Sequence, residues 1–168
     1  SSATYTFTDL QDKAARFANF LLAQGIKRGD KVAGLLPRNV ELLVVALAAW
    51  RIGAIYQPLF TAFGPKAIEH RLNSSGAALV VTDAVNRPKL DEVNACPAIV
   101  TVAGAKGQGL VRGDFSFWAE LDNYPAICEP VMLTGEDPFL LMFTSGTTGP
   151  AKPLLVPLKA IVAFQSYT

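Results

Sequence analysis

An α/β fold with a mostly parallel sheet flanked by helices is what this sequence predicts, and three observations predict it. Segments with apolar residues at helical spacing alternate with short, nearly continuous apolar runs. Those runs, such as Lys31–Leu36 and Ala77–Thr82, lack a two-residue alternation, as strands covered on both faces do. Glycine or proline punctuates most of the junctions between them. Helices alternating with buried strands build parallel sheets.

The elements follow in order. Thr8 and Gln11 have capping-box spacing, and Leu10, Ala14, Phe17 and Leu21 then recur at helical spacing. Gly25 closes that first helix as a left-handed cap. Arg28-Gly29-Asp30 is a turn, and Lys31–Leu36 a buried strand stopped by Pro37. A second helix spans about Asn39–Ile52, apolar on nearly all sides and closed by Gly53. Ala54–Leu59 is a strand. Pro65–Leu72 is a third helix, with proline in the tolerated first turn. Ala77–Thr82 and Ile99–Val102 are strands, with a short helix between them near Lys89–Val93. The glycine-rich stretch Gly104–Asp114 is a surface loop and a weak internal boundary. Its G-x-x-G-x-G order lacks the strand-to-helix setting of a dinucleotide fingerprint. Asp114–Leu121 is a short aromatic helix, Pro125–Asp137 a connector, and Phe139–Phe143 the most apolar strand.

Bulk properties remove several functional classes. The 168 residues are 51% hydrophobic and 17% charged, enough for one domain with a real core. A net charge of +1 with scattered Lys and Arg gives no footprint for nucleic acid. The longest charge-free apolar run, Leu42–Trp50, is far below the ~20 residues of a membrane-spanning helix. Ser1–Tyr5 has no signal-peptide pattern, and Cys96 and Cys128 form no C-x-x-C pair, so a cytoplasmic protein is expected. His70, the single histidine, reads as a helix-surface residue.

The segment that carries chemistry is Phe143–Lys152, F-T-S-G-T-T-G-P-A-K. Thr144, Ser145, Gly146, Thr147, Thr148 and Gly149 put four hydroxyls and two glycines into six residues directly after a strand. Glycines let backbone N–H groups approach an anion closely, and hydroxyls donate to phosphate oxygens without adding charge. Lys152 supplies one positive charge. The Walker pattern is not met, because Gly146 and Gly149 stand only three apart.

That segment resembles the phosphate-loop signature of the adenylate-forming superfamily, which includes acyl-CoA synthetases, luciferases and peptide-synthetase adenylation domains. Tyr5–Leu10, Gly29-Asp30-Lys31-Val32-Ala33 and Trp50–Leu59 resemble three upstream motifs of that superfamily, in the same order. Leu59–Pro65 and Arg71–Ala77 are similar to acetyl-, propionyl- and medium-chain acyl-CoA synthetases, a lean towards a small or medium aliphatic acid. The resemblance covers nearly the whole chain. The chain departs from it at Ala151-Lys152-Pro153, where the superfamily has Pro-Lys-Gly, and at Val156-Pro157-Leu158, where it has a hydroxyl residue and a histidine. Pro153 removes a backbone N–H from the loop's exit. A helix over Leu158–Gln165 is expected to follow.

The resemblance implies an acid–thiol ligase that uses ATP, Mg2+ and coenzyme A. Thr144, Ser145, Gly146, Thr147, Thr148, Gly149 and Lys152 would hold the phosphates of ATP. The catalytic lysine, the hinge, the Mg2+ ligand and most of the acid and CoA pockets would lie beyond Thr168. The chain is then a partial N-terminal adenylation domain, inactive alone, whose exposed apolar faces favour a homodimer. Two alternatives are a peptide-synthetase adenylation domain and a non-catalytic α/β binding module that keeps the loop.

Overall fold

In a computed structural model the described residues are 4–145 and 149–161. The first helix, α1 (Phe7–Ala23), is capped by Thr6, whose backbone is extended. Thr6 Oγ1 accepts the Asp9 N–H at 3.1 Å, and the Asp9 carboxylate accepts the Thr6 N–H at 2.8 Å. The capping box is therefore Thr6/Asp9, two residues before the expected Thr8/Gln11. Thr8 already lies within the helix, so it cannot take the extended conformation a cap needs. Gly25 and Gly53 take φ of +82° and +77° after the first and second helices, the left-handed conformation expected of them.

The other elements are β1 (Lys31–Leu35), α2 (Val40–Arg51), β2 (Ile55–Leu59), α3 (Pro65–Ser75), β3 (Leu79–Asp83), β4 (Ala98–Val102), β5 (Phe115–Ser116), α4 (Phe117–Asn123), β6 (Pro138–Thr144) and β7 (Lys152–Pro157). Arg87–Glu92 is a 3₁₀ turn where a short helix was expected. The loop between β4 and β5 carries another, over Ala105–Gly107. Among the described residues one seven-stranded sheet forms, in the order β5-β4-β3-β1-β2-β6-β7. Every pairing is parallel except β6 with β7. The α/β class with a mostly parallel sheet is thus observed.

Neighbouring strand residues enter opposite cores, which explains the continuous apolar runs. Val32 packs under α1 and α2 while Ala33 and Leu35 pack under α3. Likewise Leu79 and Val81 face the first layer and Val80 the second. The first layer is the thicker. Phe17 and Phe20 of α1 meet Phe117 and Phe115 there at ring separations of 5.0–5.3 Å.

Three further segments differ from expectation. Where a helix was expected over Asp114–Leu121, Phe115 and Ser116 pair with β4 as β5 and the helix runs over Phe117–Asn123. α3 runs one turn past Leu72, to Ser75, although Asn73-Ser74-Ser75 are weak helix formers. Ser75 is held in place because its hydroxyl donates to the buried Gln57 side chain at 2.6 Å. β7 was not expected as a strand, and Pro153 and Pro157 both fall in its six residues. It lies at the sheet's edge, the one place where a residue without an N–H is tolerated. A helical turn opens at Lys159–Ile161, and the rest of the expected Leu158–Gln165 helix lies outside the described residues.

Candidate phosphate-binding site

The predicted loop joins β6 to β7 at the carboxyl end of a strand parallel to β2, where α/β sheets bind ligands. β6 is anchored at its start. Asp137, just before it, accepts Arg28 Nη2 at 2.7 Å and the Thr134 N–H at 2.7 Å. The Arg28 hydrogen bond first, then the Thr134 N–H, hold the Asp137 carboxyl at about 2. An NMR titration of the Asp137 side chain is expected to show that midpoint, and Arg28→Met should move it up towards the usual carboxylate range. Trp50 Nε1–H donates to the Phe139 carbonyl at 2.7 Å, which fixes the strand against α2.

At the far end the two stems pair in register, Thr144 opposite Lys152 and Phe143 opposite Pro153. Thr144 Oγ1 donates to the Lys152 carbonyl at 3.4 Å. Thr144, Ser145, Gly149 and Lys152 are all exposed, and Gly149 has φ of +141°. Gly146, Thr147 and Thr148 lie outside the described residues. Lys152 makes no ion pair among the described residues.

The structure adds residues that sequence reasoning did not place here. A cavity of about 250 Å³ opens beside Ser145, lined by Pro58, Phe60, Phe63, Arg71 and Phe143 among others. It brings the Phe60–Phe63 step against the loop. Arg71 lies over the Phe63 ring at 4.0 Å and the Phe143 ring at 5.4 Å. His70, expected as a helix-surface residue, is half-buried instead. Its Nε2 lies 2.8 Å from the Ala151 carbonyl oxygen and its ring stands edge-on to Phe143 at 6.1 Å. Periodicity along α3 alone could not reveal this, because the partner is 81 positions away.

A larger concavity lies elsewhere. It is a groove of about 830 Å³ between α1, α2 and β6, walled by Phe7, Leu43, Leu47, Trp50 and Phe139 among others. Its lining is almost wholly apolar, without the converging donors a phosphate requires. Among the described residues no three His, Cys, Asp or Glu side chains gather as a metal site, so none is assigned to Mg2+. No helix among them is long and apolar enough to cross a membrane.

Comparison with known proteins agrees with this geometry. The AMP-binding enzyme family matches residues 1–168. The acetyl-coenzyme A synthetase of Helicobacter pylori (strain G27) is 38% identical over 165 residues, covering 88% of this chain and 25% of that protein. The crystal structure of Brucella canis acyl-CoA synthetase superposes with a TM-score of 0.92 at 53% identity, over 99% of this chain and 30% of that one. The ATP-bound MatB of Rhodopseudomonas palustris superposes with a TM-score of 0.81 at 26% identity, over 98% of this chain and 32% of that one. The chain thus spans about a quarter of the length of the curated relatives it matches. With its strand-to-loop signature, its sheet order and a match along its whole length, it belongs to the AMP-binding enzyme family.

Proposed function

We propose that this chain is the N-terminal part of the large domain of an acyl-CoA synthetase, and that its β6–β7 loop grips the phosphates of ATP. The observation that carries this is the loop's place: F-T-S-G-T-T-G leaves the carboxyl end of a strand parallel to β2, and Lys152 pairs with Thr144 at its mouth. In the first step a carboxylate oxygen of the acid attacks the α-phosphorus of ATP. The bond to the bridging oxygen breaks and pyrophosphate leaves. In the second, the sulfur of coenzyme A, its proton removed, attacks the acyl carbon of the acyl-adenylate and AMP departs with the bonding electrons.

The chain's own residues act mainly in the first step. Ser145, Thr147 and Thr148 donate hydroxyl protons to the β- and γ-phosphate oxygens. Gly146 and Gly149 leave room for backbone N–H groups to do the same. Thr144 holds the mouth of the hairpin, and Lys152 balances charge on the departing pyrophosphate. These are positioning and electrostatic roles. The resemblance at Leu59–Pro65 and the identity to acetyl-CoA and acyl-CoA synthetases support a small or medium aliphatic acid as substrate.

The test is acid-dependent ATP–pyrophosphate exchange by the full-length enzyme, with the 168-residue chain alone expected to give none. Lys152→Ala is expected to lower kcat/KM for ATP about 10- to 100-fold, the range of one charge-assisted hydrogen bond. Exchange that ignores this substitution would remove the loop from the mechanism. The apolar groove along α1 and α2 is a surface through which two copies of the isolated chain would associate. Sedimentation velocity giving a monomer at all concentrations would exclude this.

A further inference from the structure

We infer that His70 is a positioning residue for the phosphate loop: through the Ala151 carbonyl, and together with Arg71, it ties both stems of the loop to α3. The inference rests on the loop's reading as the phosphate site. It starts from how firmly α3 is held. Ile68 and Leu72 are 0% and 1% exposed against the sheet. The fully buried Gln57 of β2 accepts the Ser75 hydroxyl at 2.6 Å and donates to the Arg71 carbonyl at 3.2 Å. The C-terminal half of α3 is thereby locked to a central strand.

From that base two consecutive side chains diverge by about 100° around the helix and reach different stems. Arg71 Nη1 donates to the Ala67 carbonyl at 3.0 Å, which orients the guanidinium. The guanidinium then lies over the rings of Phe63 and Phe143, and Phe143 is one residue short of the end of the entry stem, β6. His70 turns to the exit stem. A carbonyl oxygen only accepts, so the proton sits on Nε2 and is donated to Ala151. Nδ1 lies 3.4 Å from the Ser74 hydroxyl, and in the neutral ring it accepts from that hydroxyl. The His70 ring also abuts Phe143. Phe143 and Ala151 bracket the connection between β6 and β7. Fixing both ends in advance lowers the ordering cost when a triphosphate binds.

The experiment uses the full-length enzyme carrying His70→Ala, His70→Phe or His70→Gln. Phenylalanine keeps a ring against Phe143 without the donor, and a glutamine amide puts a donor at similar reach. His70→Ala and His70→Phe are expected to raise KM for ATP about five- to tenfold, the worth of one hydrogen bond, with KM for the acid unchanged. His70→Gln is expected to restore KM for ATP to within about twofold of wild type on the same grounds. Where the alanine variant fails to fold, the phenylalanine variant carries the test. Equal KM for ATP in wild type and His70→Phe overturns the inference. So does an equal rise in both KM values, or a glutamine variant as impaired as the phenylalanine one. Hydrogen exchange over residues 149–152 separates this from the ligase reading. Faster exchange in His70→Phe, restored in His70→Gln, supports stem-holding even in a protein without exchange activity, whereas unchanged exchange overturns it.

Discussion

Replacing Phe17 with alanine is expected to destabilise the fold by about 3–5 kcal/mol, measured as a fall in the urea midpoint. Phe17 is 0% exposed and stands where α1, α4 and the sheet meet. Its ring lies 5.0 Å from Phe117 and 5.3 Å from Phe20. Truncation removes the transfer energy of a whole ring and leaves a void that its two aromatic neighbours cannot close. A domain of ordinary stability has only about 5–15 kcal/mol to lose. Phe7, on the same helix, is the control. It is 94% exposed, so Phe7→Ala should change stability by no more than about 0.5 kcal/mol. Equal effects at the two positions would mean that the α1–α4 contact is not a core contact.

Removing Arg87 is expected to cost a similar amount for an electrostatic reason. Its Nε and Nη2 donate to the two oxygens of Asp114 at 2.6 and 3.1 Å, and both side chains are under a tenth exposed. Thr101 Oγ1 adds a bond to Asp114 at 2.7 Å, and Arg87 Nη1 another to Asp91 at 2.8 Å. Burial by itself would raise the Asp114 carboxyl. The hydrogen bonds from Arg87 and Thr101 and the guanidinium charge overcome that and hold it below the usual carboxylate range. Arg87→Met leaves a buried carboxylate without its cation, at a cost of about 3–5 kcal/mol at neutral pH.

The pH dependence has a definite sign. In the wild type the folded carboxyl is depressed. Its contribution is complete above the unfolded value and is lost as pH falls through the folded one. In Arg87→Met burial dominates and the folded carboxyl rises above the unfolded value. That variant is then penalised at neutral pH and relieved as acid protonates Asp114. The stability gap between the two proteins should narrow from neutral pH towards the carboxylate range, and the double variant Arg87→Met/Asp114→Leu should recover most of the loss. A gap that widens in acid would contradict this account.

Much of this was legible in the chain because its signals are local. Helical spacing marked α1, a long apolar run closed by Gly53 marked α2, and the β1 and β3 runs announced strands covered on both faces. The order of Thr144–Gly149 marked the loop without any tertiary information. The misses have one physical origin. No strand was expected over Lys152–Pro157, and its two prolines are tolerated because β7 sits on an edge, which local propensity cannot know. Asn73–Ser75 argued for an early end to α3 because the buried Gln57 that captures Ser75 belongs to a different element. The spacing of Thr8 and Gln11 suggested the cap, and the backbone conformation puts it two residues earlier, at Thr6 and Asp9.

The same division holds at the site. By itself the sequence determined the class of fold, the place of the hydroxyl- and glycine-rich segment after a strand, and the chemistry that its hydroxyls, glycines and Lys152 can offer. Those depend on residue type and on spacing within ten positions. Tertiary structure alone decided what holds the loop. His70 reaches Ala151, and Arg71 lies over Phe143, only because a parallel sheet places β6 beside β2 and so brings α3, which follows β2, against the β6–β7 hairpin. Contacts between residues more than seventy positions apart leave no periodic trace in the chain, since they arise from strand order and not from local spacing.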